Sequence, residues 1–183
     1  LQEFKAARKL ILGICNGFQI LLKSGILLSD QADGGAPATL AWNASGRFQD
    51  RWVPLHVSGS KSVFFAGIES MYLPVAHAEG RFVPRNEQTM RELAAGGQLA
   101  LRYGCGAAVD ESSLMQSGVA FPDNPNGSLG DVAGICDETG RVLGLMPHPE
   151  RHIDPTQHPR WTREQHERGD GLAVFENAVR YFG

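Results

Sequence analysis

A cysteine with a glycine two residues away on either side, Gly13-Ile14-Cys15-Asn16-Gly17, stands between a short apolar run and an amphipathic segment. The run, Leu10-Ile11-Leu12, reads as a buried strand, and Phe18, Ile20, Leu21 and Leu22 read as the apolar face of a helix. A strand that turns sharply into a helix holds the residue at the turn in strained backbone angles, and small neighbours let the two backbones approach without a Cβ clash. The pattern is the thiol counterpart of the G-x-S-x-G nucleophile elbow. The helix N-terminus adds free N–H groups and a partial positive charge, which favour thiolate over thiol. The same five residues also fit a small buried thiol in a tight turn, and this block alone leaves both readings open.

Near the other end of the chain, Met146-Pro147-His148-Pro149-Glu150-Arg151 carries a base and a carboxylate. Each proline pushes the residue before it toward extended angles, and in an extended segment residues two apart point the same way. His148 and Glu150 are therefore expected on one face, Glu150 orienting the imidazole while its other nitrogen meets a nucleophile. The preceding run, Arg141 to Met146, reads as a strand that delivers the pair to a sheet edge. The plain alternative is a surface turn in which Glu150 pairs with Arg151 in solvent. His152, also two residues from Glu150, is a second imidazole that the carboxylate could serve.

These groups need a folded scaffold, and the composition supplies one. A chain of 183 residues with 42% hydrophobic residues has the size and apolar content of one α/β domain with a real core. A net charge of −3 argues against disorder and against a general nucleic-acid binder, whose surface is clearly basic. Cys15, Cys105 and Cys136 make an odd set with no C-x-x-C, so a disulfide framework or thiolate metal site is not expected and a reducing cytoplasm is. No apolar run reaches the roughly 20 residues that span a bilayer, and no signal peptide is visible.

Apolar periodicity predicts strands over Leu10–Ile14, Trp52–Val57, Tyr72–Ala76, Leu99–Tyr103, Val132–Cys136 and Val142–Met146. Helices are expected over Leu1–Lys9, Gly17–Ser24 and Glu87–Ala95. The clearest helix is the last, with Asp170 as N-cap and Leu172, Phe175, Val179 and Phe182 along one face. Ser29–Arg51 and Asp110–Gly130, rich in Gly, Pro, Asn and Ser, read as long loops.

Taken together, Gly13-Ile14-Cys15-Asn16-Gly17-Phe18-Gln19-Ile20-Leu21 and Met146 to Arg151 resemble the class I glutamine amidotransferases. The narrower likeness is to the branch that serves as glutaminase subunit of phosphoribosylformylglycinamidine synthase in purine biosynthesis. It is carried by Arg47-Phe48-Gln49-Asp50-Arg51-Trp52, by Pro74-Val75-Ala76-His77-Ala78-Glu79-Gly80-Arg81 and by Asn124-Pro125-Asn126-Gly127-Ser128 leading into Ala133-Gly134-Ile135. The blocks follow one another in order from about Leu10 to the C-terminus.

The resemblance implies an α/β, flavodoxin-like fold with a mostly parallel sheet and flanking helices. It implies Cys15 as nucleophile on the glutamine amide, His148 as the group that protonates departing ammonia, and Glu150 as the holder of His148. Substrate contact is assigned to Asn16, whose backbone N–H would face the oxyanion, and to Gln19, which matches C-x-x-x-Q; Gln19 also reads simply as a side chain packing under the elbow. Implied partners are glutamine and a large synthetase subunit, with a small accessory subunit as a candidate addition; neither nucleic acid nor membrane is expected. No cofactor is expected on this chain, which lacks G-x-x-x-x-G-K-[ST], while ATP and Mg²⁺ are expected on the synthetase.

His77 and Glu79 are candidates to line the glutamine site or to face the synthetase. Arg160, Trp161, Arg163 and Arg168 within His152–Arg168 read as an interface or as a solvated loop. The family places several strands and a Gly-rich loop, source of a second oxyanion donor, ahead of the elbow. Position 1 is Leu1 and the elbow comes at Cys15, so the expectation is one amidotransferase domain over 1–183 shortened at its N-terminus, and a poor or dead glutaminase alone, since one lost donor costs about a hundred- to thousandfold. Other readings are a class I amidotransferase serving a different synthetase, a catalytically silent binding subunit, and a papain-like protease, whose C-G-[SA]-C-[WY] signature the elbow does not match.

Overall fold

The computed structural model describes residues 1–29, 35–57, 59–106, 114–164 and 167–183. Its elements in chain order are α1 (Gln2–Ala6), β1 (Ile11–Ile14), α2 (Asn16–Lys23), β2 (Ala38–Trp42), β3 (Gln49–Val57), β4 (Ser70–His77), β5 (Glu79–Pro84), α3 (Glu87–Ala95), β6 (Leu101–Tyr103), β7 (Val132–Cys136), β8 (Val142–Leu145) and α4 (Leu172–Arg180). Six strands form one sheet in the order β1-β8-β7-β6-β3-β4, and β2 pairs with β5 in a separate two-stranded sheet.

The fold is α/β, but the expectation of a mostly parallel sheet is corrected. Among the described residues only β1 and β8 run parallel, with Ile11 opposite Val142 and Ile14 opposite Leu145. The pairs β8–β7, β7–β6, β6–β3 and β3–β4 are all antiparallel. The physical reason lies in the connections. A parallel pair needs a long crossover, whereas β7 and β8 are joined by the tight Asp137–Arg141 turn, which dictates antiparallel pairing.

That turn is wired by Asp137, whose buried carboxylate accepts from the Thr139 hydroxyl at 2.8 Å and from the backbone N–H of Arg141 at 3.1 Å. The central strands are covered on both faces, and every residue of β7 and β8 is buried. One face carries Phe18, Leu21, Leu22, Phe82, Met90 and Met146; the other carries Val53, Leu55, Phe64, Leu73, Leu143, Leu145 and Val174. Burial on both sides explains why Val132–Cys136 and Val142–Leu145 read as continuous apolar runs rather than alternating ones.

Two strands, β2 and β5, fall in stretches not predicted as strand, and β3 begins at Gln49 rather than Trp52. Thr39 faces solvent between buried Ala38 and Leu40, and Gly80, Phe82 and Pro84 are buried in alternation along β5. Gly, Pro and Arg in that pattern hid its period from propensity. Residues 30–34 and 110–113 of the two predicted loops lie outside the described residues. Helix α4 exists as expected, but its cap and face are corrected. Gly171 occupies the N-cap, while the Asp170 carboxylate accepts from the Tyr72 N–H at 2.7 Å. The buried face is Val174 and Asn177, not Val179 and Phe182, which are exposed, because the Asn177 amide donates to the carbonyls of Phe64 and Ala66.

Helix α2 lies on β1 and β8 at very short range. A Cβ on Gly13 would come within 2.5 Å of Leu21 Cδ1 and 2.7 Å of the Gly17 backbone, and one on Gly144 would run into the Phe18 ring. The two glycines of the cysteine block therefore differ: Gly13 is required by close approach, whereas a Cβ on Gly17 would point into open space. Gly13→Ala is expected to destabilise the fold by about 2 kcal/mol through overpacking, and Gly17→Ala to leave stability unchanged or raise it by up to about 1 kcal/mol. Urea denaturation of the two variants checks the pair, and equal losses would contradict it.

Candidate active site

Cys15 sits at the junction between β1 and α2 with φ 52° and ψ −106°, a positive φ that a residue with a side chain rarely adopts. The strain is held from both sides. The Cys15 N–H donates to Leu145 O at 2.8 Å, extending the β1–β8 ladder by one bond, and the Cys15 carbonyl accepts from the Gln19 N–H of the first helical turn. A strained cysteine fixed between a parallel strand and a helix start is the elbow that the sequence predicts.

The β1–β8 register also delivers His148. Leu145 lies opposite Ile14, so the chain leaving β8 emerges beside the elbow, and the His148 N–H donates to Pro74 O at 2.8 Å. The strand supplying the pair is interior to the sheet, between β1 and β7, so the expected edge position is corrected. His148 and Glu150 do meet, with Nδ1 2.6 Å from Oε1. Their means of meeting is corrected too: Pro149–Arg151 form a 3₁₀ turn rather than an extended segment. Proline at the first position of that turn has its φ already set and no N–H to satisfy, which favours the turn over further extension. The remaining nitrogen, His148 Nε2, is buried without a hydrogen-bond partner among the described residues.

His152 does not compete for Glu150. Its Nδ1 lies 3.0 Å from Tyr72 O, and its ring meets Trp52 edge-on and packs beside His158. Arg151 approaches Glu150 at 3.6 Å with both side chains well exposed, so the solvated pair exists beside the His148 contact rather than instead of it.

A cavity of about 530 Å³ gathers Ile14, Cys15, Asn16, Gln19, His148 and Arg151 with the corner between β4 and β5. That corner contributes Ala76, His77, Ala78 and Glu79, and Ala76 O lies 3.9 Å from Cys15 Sγ. All the predicted site residues except Glu150 line this space; Glu150 stands behind His148. Gln19 both lines the cavity and braces it, its Nε2 donating to Glu79 O at 2.9 Å. Trp42 and Phe48, exposed and also lining the cavity, were missed as site residues because both fall in a stretch read as loop.

The Asn-Pro-Asn-Gly-Ser block supports the corner from behind. Asn126 Nδ2 donates to Gly80 O at 2.9 Å, and Ser128 Oγ accepts from the Phe82 N–H at 2.9 Å. In the late polar segment, Arg160 pairs with Glu164 and Arg168 with Glu176, each at 2.6 Å, while Trp161 is half exposed.

Electrostatics corrects one expectation. Burial pushes the Cys15 thiol up and outweighs the Asn16 N–H and the Arg151 guanidinium, which pull it down; Glu150 adds to the rise. The helix start acts in the expected direction without winning. His77 is pushed down to about 4, first by burial and then by neighbouring His148.

The chain matches the sequence profile of the CobB/CobQ-like glutamine amidotransferase domain over residues 1–182. It is 44% identical over 183 residues to a phosphoribosylformylglycinamidine synthase subunit PurQ of Dehalococcoides mccartyi, covering 99% of this chain and 67% of that protein. It is 39% identical over 194 residues to the PurQ subunit of Methanococcus maripaludis, covering 100% of this chain and 69% of the relative. Among solved structures, PurLQS from Thermotoga maritima superposes with a TM-score of 0.69 at 29% identity, covering 100% of this chain and 66% of that one. The chain thus spans about two thirds of the length of these relatives.

Two pH dependences follow. Alkylation of Cys15 by iodoacetamide is expected to rise with pH through an inflection above that of a free thiol; an inflection near neutrality would contradict the dominance of burial. For His77, the folded state stays neutral where the unfolded chain binds a proton, so its contribution is complete above about pH 6.5 and lost as pH falls toward 4. The loss amounts to up to about 3 kcal/mol. Urea midpoints between pH 7 and 4 should fall more steeply for the wild type than for His77→Gln.

Proposed function

Since the chain belongs to the glutamine amidotransferase family, we propose that it is the glutaminase part of phosphoribosylformylglycinamidine synthase, releasing ammonia from glutamine through Cys15, His148 and Glu150. The observation that carries the reading is the strained Cys15 at the mouth of a cavity that it shares with a carboxylate-held His148.

The thiol is raised by burial, so it needs a base before it can attack. His148 Nε2 takes the proton from Sγ, and Sγ bonds to the carboxamide carbon. The oxyanion that forms is met by the Asn16 N–H at the start of α2. His148 then gives its proton to the amide nitrogen, the C–N bond breaks, ammonia leaves and a glutamyl thioester remains. Water hydrolyses the thioester to glutamate and restores the thiol. Glu150 keeps the imidazole oriented and offsets its positive charge between the two transfers.

Ammonia passes in this reading to a large synthetase subunit, which supplies ATP and Mg²⁺ chemistry, with a small accessory subunit as a further partner. Exposed Trp42 and Phe48 at the cavity support contact with a partner there, since aromatic residues are enriched at interfaces. Among the described residues no helix is long and apolar enough to cross a membrane. A cytoplasmic location fits the chemistry and the free thiols.

The test exposes the chain to an electrophilic glutamine analogue and maps the adduct by peptide mass spectrometry. Labelling is expected at Cys15, protected by glutamine and absent from Cys105 and Cys136. Ammonia release should fall about a thousandfold or more in Cys15→Ser and about a hundredfold in Glu150→Gln. A folded protein that also carries the segment the family places ahead of the elbow, and that still leaves Cys15 unlabelled and releases no ammonia, would refute the glutaminase reading.

A further inference from the structure

His77 lines the cavity, yet neither the thiol chemistry nor the charge pair behind His148 uses it. It is 4% exposed, and its Nε2 is buried without a hydrogen-bond partner among the described residues. An unpaired polar atom on a residue that lines a cavity calls for a partner, and a donor on a molecule bound in that cavity is one that would supply it.

The proton on this ring is fixed by Asn43, itself 2% exposed. Asn43 Nδ2 donates one hydrogen to Arg47 O at 2.9 Å and one to His77 O at 2.8 Å. Both partners are carbonyls and can only accept, so the amide cannot be turned round. Its Oδ1 therefore faces His77 Nδ1 at 3.1 Å. An oxygen that only accepts requires the proton to be on Nδ1. In a neutral imidazole that leaves Nε2 as a bare lone pair, and the ring remains neutral well below physiological pH because it is buried and stands beside His148.

Resting on the glutaminase reading, we propose that His77 is a substrate-specificity residue whose Nε2 accepts a hydrogen bond from the N–H of the carboxamide that Cys15 attacks. His77 directly follows Ala76, whose carbonyl is 3.9 Å from Cys15 Sγ, and it shares the cavity with His148. It takes no proton during the reaction. By holding one N–H of the amide, it turns the nitrogen lone pair of the tetrahedral intermediate toward His148, which delivers the proton. An ester or carboxylate at the same position offers His77 only lone pairs, so the site favours amide over ester and over the product glutamate. The substrate's α-ammonium is a cation, better met by a carboxylate such as Glu79 of the same cavity than by a neutral acceptor.

The test compares L-glutamine with the γ-methyl ester of L-glutamate, which keeps the α-ammonium and lacks an N–H on the reacting group. His77→Leu should lower kcat/KM for glutamine about fiftyfold and change that for the ester less than threefold. His77→Gln, whose amide oxygen reaches toward the place of Nε2, should recover part of the glutamine activity. Equal losses on both substrates, or no loss on glutamine, would overturn the assignment. Nitrogen-15 histidine NMR on Cys15→Ala, which keeps His77 intact, provides a second reading that does not depend on the His77 variants folding. The Nε2 resonance should stand at the bare-nitrogen position and shift with glutamine but not with the ester; a protonated Nε2 or an unmoved resonance would overturn it. Wild type carrying the segment the family places ahead of the elbow that hydrolyses neither substrate and is not labelled at Cys15 would remove the glutaminase reading and this one together. Active wild type with an unchanged amide-to-ester ratio in His77→Leu removes this one alone.

Discussion

Everything in the site depends on the parallel pairing of β1 with β8. A cysteine near the start of the chain and a histidine near its end become neighbours because Ile14 lies opposite Leu145 and Cys15 donates one more bond to Leu145 O. Slipping this ladder by one residue would turn every side chain of β1 to the opposite face and carry the elbow away from His148. The register is pinned by shape as well as by bonds. Gly13 and Gly144, level with each other in the ladder, are the two places where α2 presses too closely on the sheet for a Cβ.

The elbow couples this geometry to reactivity. A thiol placed at a helix start gains from the Asn16 N–H, yet the apolar packing that makes the junction rigid also removes water, and the second effect is larger. The backbone angle, the burial and the place of His148 are all set by this one junction, so a change in any of them disturbs the others. His148 is held in its turn by Glu150, whose Oε1 lies 2.6 Å from its Nδ1.

The grouping of the site residues was more legible in the sequence than the topology. Glycine spacing around Cys15 and the base-plus-carboxylate pairing of His148 and Glu150 are local patterns, and local patterns survive in a single chain. Strand direction is not local. Nothing in Val132–Cys136 or Val142–Leu145 says whether two buried apolar strands run parallel; the short turn organised by Asp137 decides it. The 3₁₀ turn at Pro149 escaped for a related reason: proline restricts the residue before it, but it also starts tight helical turns, and the tertiary bond from the His148 N–H to Pro74 O favours the second outcome. β5 was hidden because glycine, arginine and proline occupy a pattern whose burial alternates strictly.

The blocks whose roles the sequence left open turn out to divide the work of one wall. Pro74 to Arg81 forms the corner that faces the cavity, and the Asn-Pro-Asn-Gly-Ser block holds it from behind through Gly80 and Phe82. Asn43, from the stretch read as loop, ties the same corner to the outside by bonding both the backbone and the ring of His77. Three segments distant in sequence are thus committed to placing one backbone corner opposite Cys15. A wall that served only as packing would need no polar bracing; here the buried amides of Asn43 and Asn126 and the buried Ser128 hydroxyl hold the backbone of the corner in one place.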